Sequence, residues 1–254
     1  MEFWFYPAII AAGIVAGFIN TLAGSGSLIT LPLLIFMGLP AQVANGTNRI
    51  AILFQNMVGV HGFHKENMLD VKRGKWLLLP SIAGALLGAQ IAADLDERLM
   101  RLAIGAVMCL MLVIILVKPK NWLTDRHREL SAKPTWMEIM MFFGVGIYGG
   151  FIQAGVGIFL LAALVLGSGY DLVKANAVKV LIVLGFTPFA LAIFIFHDQV
   201  IWTVGLIMAI GNMAGAWLAT KVAVKKGAPF VRWVLIAVVS ISALKLFWDV
   251  SQST

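Results

Sequence analysis

Polar and apolar positions along this chain are sorted into long blocks. Apolar runs fall at about 4–22, 26–38, 42–62, 74–93 and 97–117, and again at 136–153, 156–168, 172–197, 200–220 and 230–249. Runs of about 18 residues or more are long enough to cross the hydrocarbon core of a bilayer as a helix. The second run of each set is too short to cross comfortably. Each short run also follows a glycine-rich break, Ala23-Gly24-Ser25-Gly26 in one case and Ala154-Gly155-Val156-Gly157 in the other. The pattern predicts an all-α polytopic membrane protein with short broken or re-entrant helices.

The two sets are related in sequence. Gly17-Phe18-Ile19-Asn20 matches Gly150-Phe151-Ile152-Gln153. After a two-residue length difference, Gly24 and Gly26 fall on Gly155 and Gly157, and Ala44-Asn45 falls on Ala175-Asn176. Farther on, the pair Gly84 and Gly88 matches Gly211 and Gly215. The chain reads as a duplicated unit of about five helical segments: a first transmembrane repeat at 1–117, a basic loop at 118–135 and a second repeat at 136–254.

Charge adds an orientation. Lysines and arginines collect in three short stretches: Lys65, Lys72, Arg73 and Lys75; Lys118, Lys120, Arg126, Arg128 and Lys133; and Lys221, Lys225, Lys226 and Arg232. Cytoplasmic loops carry such an excess, so all three are expected on the cytoplasmic side. The stretch with Asp94, Asp96 and Glu97 and the turn at Asp198 are comparatively acidic and separate them. Between the central loop and Asp198 the chain must cross an odd number of times, as three crossings or as one plus a hairpin that returns. Each half then crosses an odd number of times, and the two halves insert in opposite directions, as in transporters built on inverted-topology repeats. Both termini are then expected on the side opposite the cytoplasm. The start, Met1-Glu2-Phe3-Trp4, lacks the basic region of a secretory signal, so the first run is expected to stay.

Composition narrows the class. Of 254 residues 61% are hydrophobic and 12% charged, and the mean hydropathy is +0.94, values foreign to a soluble domain. The net charge of +7 lies in loops rather than on a basic module, which argues against a nucleic-acid partner. Cys109 is the only cysteine, excluding an internal disulfide or a multi-cysteine metal site; it is read as a small buried hydrophobe. No catalytic group, metal or cofactor is expected.

In an inverted-repeat transporter the substrate sits near the midplane, where broken helices expose backbone amides that attract anions. The breaks offer Asn20, Gly24, Ser25, Gly26 and Ser27 from one half, with Gln153, Gly155 and Gly157 from the other. Glycines also serve close helix packing, the preferred reading for the pairs Gly84 and Gly88, and Gly211 and Gly215. At the breaks the site reading is preferred, because the glycines recur at matched positions beside polar residues. Each short run is followed by a polar helix start. Asn45, Asn48 and Arg49 share one face by their spacing, as do Asn176 and Lys179. A charge in lipid is expensive and normally faces a cavity or partner, so two cations at roughly matched positions suggest an anion. The alternative is that Arg49 and Lys179 snorkel to the surface. Gln55, Asn56 and Thr187 lie farther along the same helices, as pathway residues or interhelical hydrogen bonders. His61, His64 and His197 are read as interfacial.

Gly17 to Ser27, then Pro32, then Ala44-Asn45-Gly46-Thr47-Asn48-Arg49-Ile50-Ala51 resemble the TauE/SafE sulfite-exporter family. Gly149 to Gly157 and Ala175 to Val180 carry the counterpart, and the resemblance covers essentially the whole chain. It implies an inner-membrane permease for small sulfur-containing anions such as sulfite, thiosulfate or organosulfonates. Proton coupling and dimerisation stay open. An anion channel with the same lining is the alternative; a membrane enzyme or a scaffold lacks supporting residues. Alanine at Arg49 or Lys179 is expected to weaken anion binding and leave folding largely intact.

Overall fold

The computed structural model describes residues 5–117 and 134–252, with side chains over 6–110 and 134–227 and at Phe230 and Trp233. Among them the chain is helical: α1 (Phe5–Ala23), α2 (Ser27–Phe36), α3 (Ala41–Lys65), α4 (Val71–Asp94), α5 (Glu97–Val117), α6 (Trp136–Phe151), α7 (Val156–Ala162), α8 (Leu172–Phe196) and α9 (Trp202–Gln252). A wider π turn, Ala163–Gly167, continues α7. Gly227 breaks α9 with φ 68° and ψ −168°, so the last two apolar runs meet at one residue. Lys118, Lys120, Arg126, Arg128 and Lys133 of the central loop, and the side chain of Arg232, lie outside the described residues.

Tyr6–Ala23, Val71–Asp94, Leu172–Phe196 and Trp202–Gly227 are long and apolar enough to cross a membrane. Large apolar side chains such as Leu79, Leu87, Ile91, Leu102 and Ile210 stay exposed on the helices. Water would reject so continuous an apolar exterior; lipid does not. This is a multi-pass membrane protein. Polar side chains set several helix starts. Asp70 accepts from Arg73 N at 3.1 Å, Asp171 accepts from Val173 N and Lys174 N, and Thr135 with Glu138 forms a reciprocal capping box on α6.

Contacts establish the direction of each helix. Near one end, Thr47 Oγ1 of α3 accepts from Ile201 N at 3.0 Å. Near the other, Gly62 packs on Thr220, so α3 and α9 run side by side in the same direction. Asp94 pairs with His197 at 3.3 Å and Glu97 accepts from Ala41 N at 2.8 Å, which marks the first end as acidic. Lys65, Lys72, Lys75 and Lys221 mark the second as basic. The α6–α7 segment enters from the basic end and returns to it, because Ser168 beyond its finish donates to Glu138 near its start. The α1–α2 segment does the same at the acidic end, where Tyr6 and Leu39 join one apolar cluster with Leu95 and Met100. With 10 residues, α2 is about 15 Å long, half the hydrocarbon core. Of the two counts left open by charge, this geometry matches a returning hairpin plus one crossing.

The halves are joined by reciprocal seams, α1 along α9 and α6 along α4. A methyl group at Gly84 or Gly88 would overlap the carbonyl of Phe143 or Ile147; at Gly211 or Gly215 it would overlap that of Ile10 or Ile14. Both glycine pairs therefore serve backbone-to-backbone packing. Valine at Gly88 is expected to part α4 from α6 and abolish a monodisperse species in detergent size-exclusion chromatography.

Cys109 corrects the sequence reading, for it is exposed. On α5 Met100 and Ile104 are buried while Leu102 and Leu110 are more than half exposed. Among the described side chains of this helix, one stripe packs on protein. The opposite face looks toward lipid, which accepts a thiol as readily as a core does.

Candidate functional site

The two breaks cross backbone to backbone. Gly24 and Gly155 hold matching left-handed turns at φ 75° and 74°, a region that glycine reaches without penalty, and Gln153 sits there at 64°. A Cβ built on Gly24 would overlap Gly157 Cα, and one on Gly157 would overlap Gly24 Cα. Beside this crossing lies a small cavity lined by Asn20, Gly24, Asn56, Gln153, Val156, Gly157, Lys179 and Val183. Its free volume is about 10 Å³, room for about one water.

Separate side-chain hydrogen bonds tie the polar residues of this region together. Asn20 Nδ2 and Asn212 Nδ2 both donate to Gln55 Oε1, at 3.3 and 3.0 Å. Gln153 Nε2 donates to Thr187 Oγ1 at 3.2 Å, and Thr30 Oγ1 donates to Asn48 Oδ1 at 2.7 Å. Asn56 is tied to its own helix through Ile52 O.

The two cations are buried, Arg49 fully and Lys179 2% exposed, so neither snorkels to the molecular surface. Counting helical rise, Arg49 lies about 12 Å inside the start of α3 and Lys179 about 11 Å inside the start of α8. Each holds the carbonyl end of the other half's broken helix. The last carbonyls of a helix lack intrahelical partners and form the negative end of its dipole. At the end of α6, Arg49 donates to the oxygens of Gly149 (3.2 Å), Gly150 and Phe151 (3.5 Å), and to Gln153 Oε1. Asn45 Nδ2 adds a bond to Phe151 O at 2.7 Å. The guanidinium also lies 4.7 Å over the ring of Phe194. At the end of α1, Lys179 Nζ donates to Asn20 O (3.1 Å) and Thr21 O (2.7 Å), and to Asn176 Oδ1 (2.7 Å).

Thus Asn20, Gly24, Gln153, Gly157 and Lys179 meet at the cavity. Gln55 and Asn176 stand directly behind it, bonded to Asn20 and Lys179. Gly155 makes the left-handed turn, while Ser25, Gly26 and Ser27 are buried at the start of α2. The Ser25 hydroxyl and Asn176 Nδ2 are buried without a partner. Asn45, Asn48 and Arg49 face α6 and α2 instead. The structure also changes the expectation for Arg49→Ala, since a side chain that holds three helix-end carbonyls is part of the fold.

A second polar cluster lies at the basic end. Arg73, assigned by sequence to a basic loop, is instead 5% exposed and pairs with Glu138 at 2.6 Å. Glu138 Oε1 also accepts from Ser168 Oγ, and Tyr170 Oη donates to Asp70 Oδ2 at 2.9 Å. The Tyr170 phenol is pushed above its usual range by burial and then by this bond, so it remains a donor around neutrality. Sequence reasoning singled out neither Asn212 nor Glu138 with its hydroxyl partners. Asn212 leaves one signal, an amide in mid-run beside Gly211.

The family described as sulfite exporter TauE/SafE matches residues 9–246, and the chain belongs to that family. A probable membrane transporter protein, ORF9 from Sinorhizobium sp, is 27% identical over 249 residues, covering 98% of this chain and 95% of that one. A probable membrane transporter protein of Haemophilus influenzae is 27% identical over 95% of this chain and 94% of its own length. Escherichia coli K12 YfcA, also a probable membrane transporter protein, is 28% identical over 92% and 86%. No solved structure matches significantly.

Proposed function

We propose that this member of the TauE/SafE family is a secondary transporter, by direction an exporter, of small sulfur-containing anions such as sulfite, thiosulfate or organosulfonates. It works by alternating access between two inverted repeats in a bacterial inner membrane. The basic end faces the cytoplasm and both termini face the periplasm. The observation that carries the reading is the crossing of Gly24 and Gly157 beside the buried ammonium of Lys179. Helix starts and amides cannot neutralise an anion, but they stabilise it once a cation offsets its charge. Lys179 supplies that charge from the cavity wall. Asn20, Gln153 and backbone amides of Gly24 to Ser27 and Gly155 to Gly157 hold the oxygens. Arg49 serves at one remove, keeping the end of α6 in place.

Room for about one water is too little for an oxyanion or for a continuous pore. The site must therefore widen to admit substrate; a carrier does so toward one side at a time, a channel toward both at once. Reciprocal seams between α1 and α9 and between α6 and α4 support the inverted arrangement, since each half offers the other the same pair of surfaces.

Purified protein in liposomes should show saturable flux of radiolabelled thiosulfate, sulfite or sulfoacetate, and exchange of internal for external anion. Absence of flux for every anion, with folded protein, would remove the substrate class. Lys179→Met is expected to raise the half-saturating anion concentration at least tenfold. An unchanged value would take Lys179 out of the site.

A further inference from the structure

We infer that Arg73, Glu138, Ser168 and Tyr170 form the gate that closes the pathway at the basic end, with the α7–α8 hairpin as its moving part. The inference rests on the transport reading above. The hairpin leaves the cavity at Val156 and Gly157 and comes back to it at Lys179 and Val183. Its tip, Ser168 to Asp171, lies about 11 Å by helical rise from Lys179 and about 17 Å from Gly157 and Val183, at the basic end. There its two hydroxyls are held by carboxylates of two other helices. Ser168 donates to Glu138 of α6, and Tyr170 donates to Asp70 at the start of α4. Arg73 of α4 completes the clamp, paired to Glu138 and lying 5.6 Å over the Tyr170 ring. Lifting the tip opens the cavity toward this end and no other.

Three features suit the cluster to opening rather than to permanent support. An ion pair withdrawn from water adds little net stability over apolar packing, and its attested uses include specifying one of two arrangements. Arg73, Glu138, Ser168 and Tyr170 are all at most 6% exposed, yet Arg73 Nε and Nη1 have no partner. Among the described residues no protein group accepts from those two nitrogens, so they are free to meet water or an arriving anion on opening. The tip also has its own hinge: the π turn Ala163–Gly167, a form that recurs at functional sites, and then Gly169 at φ 80°. The matching place at the acidic end, the connection between α2 and α3, is built differently: Leu39 joins an apolar cluster that includes Met100 and Ile9, and Ala41 N donates to Glu97. Among the described residues, the buried ion pair closes one end only.

Glu138→Gln tests this cleanly, because glutamine still serves the capping box while the ion pair is lost. In a Cys109→Ser chain carrying Val183→Cys, a membrane-impermeant maleimide is applied from each side of oriented vesicles. Glu138→Gln is expected to speed labelling from the basic end at least tenfold and leave the acidic end unchanged. Ser168→Ala, which keeps every charge, should do the same to a smaller degree and stands in if the first variant does not fold. Unchanged labelling from the basic end, or equal acceleration from both, overturns the gate. Anion flux by the Cys109→Ser chain is read separately. Flux with unchanged labelling overturns the gate alone, and no flux overturns the transport reading on which it rests.

Discussion

Replacing Arg49 by alanine is expected to abolish transport by loosening the fold, with a thermal midpoint in detergent at least 10 °C below the parent, an order-of-magnitude expectation for several kcal/mol lost. Of the last four carbonyls of α6, Tyr148 O accepts from Ile152 N at 3.1 Å, while those of Gly149, Gly150 and Phe151 are held by Arg49. Without the guanidinium, three buried acceptors lose that partner in a region with little water, at about 1–3 kcal/mol each. Asn45 relieves one of them, leaving a loss of roughly 2–6 kcal/mol for the other two. Lysine at 49 carries the charge but not the planar fork, so it should recover part of the midpoint. If Arg49→Ala melts like the parent and loses only anion affinity, Arg49 is a ligand and its helix-capping role fails.

The same bonds show where sequence stops being informative. Spacing alone puts Asn45, Asn48 and Arg49 on one helical face, and the structure shows that face buried. What that face meets is invisible in spacing, because the partners of Arg49 are backbone carbonyls a hundred residues away. A carbonyl has no residue code. Breaks and glycine seams were legible for the opposite reason: a left-handed turn or a backbone contact selects glycine itself, twice, at matched positions. Arg73 was misplaced because it sits among Lys72, Gly74 and Lys75, where charge density looks like a loop. Burial of one member depends on Glu138, 65 residues on. Cys109 failed on other grounds. Lipid and protein interior are both apolar, so hydropathy locates the span without telling which face is covered.

Alanine at Gly157 is expected to remove anion flux, to below about a hundredth of the parent, while the protein still inserts and elutes as one species. Two glycines control for the ways a methyl group does harm. Gly38 has φ 89° with nothing within 4 Å of an added Cβ, so Gly38→Ala meets only the left-handed conformational penalty, about 1–2 kcal/mol. Flux there should stay within about twofold of the parent. Gly24 has both the conformation, φ 75°, and the overlap with Gly157, and Gly24→Ala should lose flux and stability together. Gly157 lies in helical backbone at the start of α7 and has the overlap alone. A methyl there wedges the two breaks apart at the point where both line the cavity, without asking the chain for an unusual dihedral. Loss of flux in Gly157→Ala and its survival in Gly38→Ala would assign the effect to the crossing. Normal flux in Gly157→Ala would mean that the breaks can separate by a methyl group and still carry substrate, and a site formed by their backbones would have to be given up.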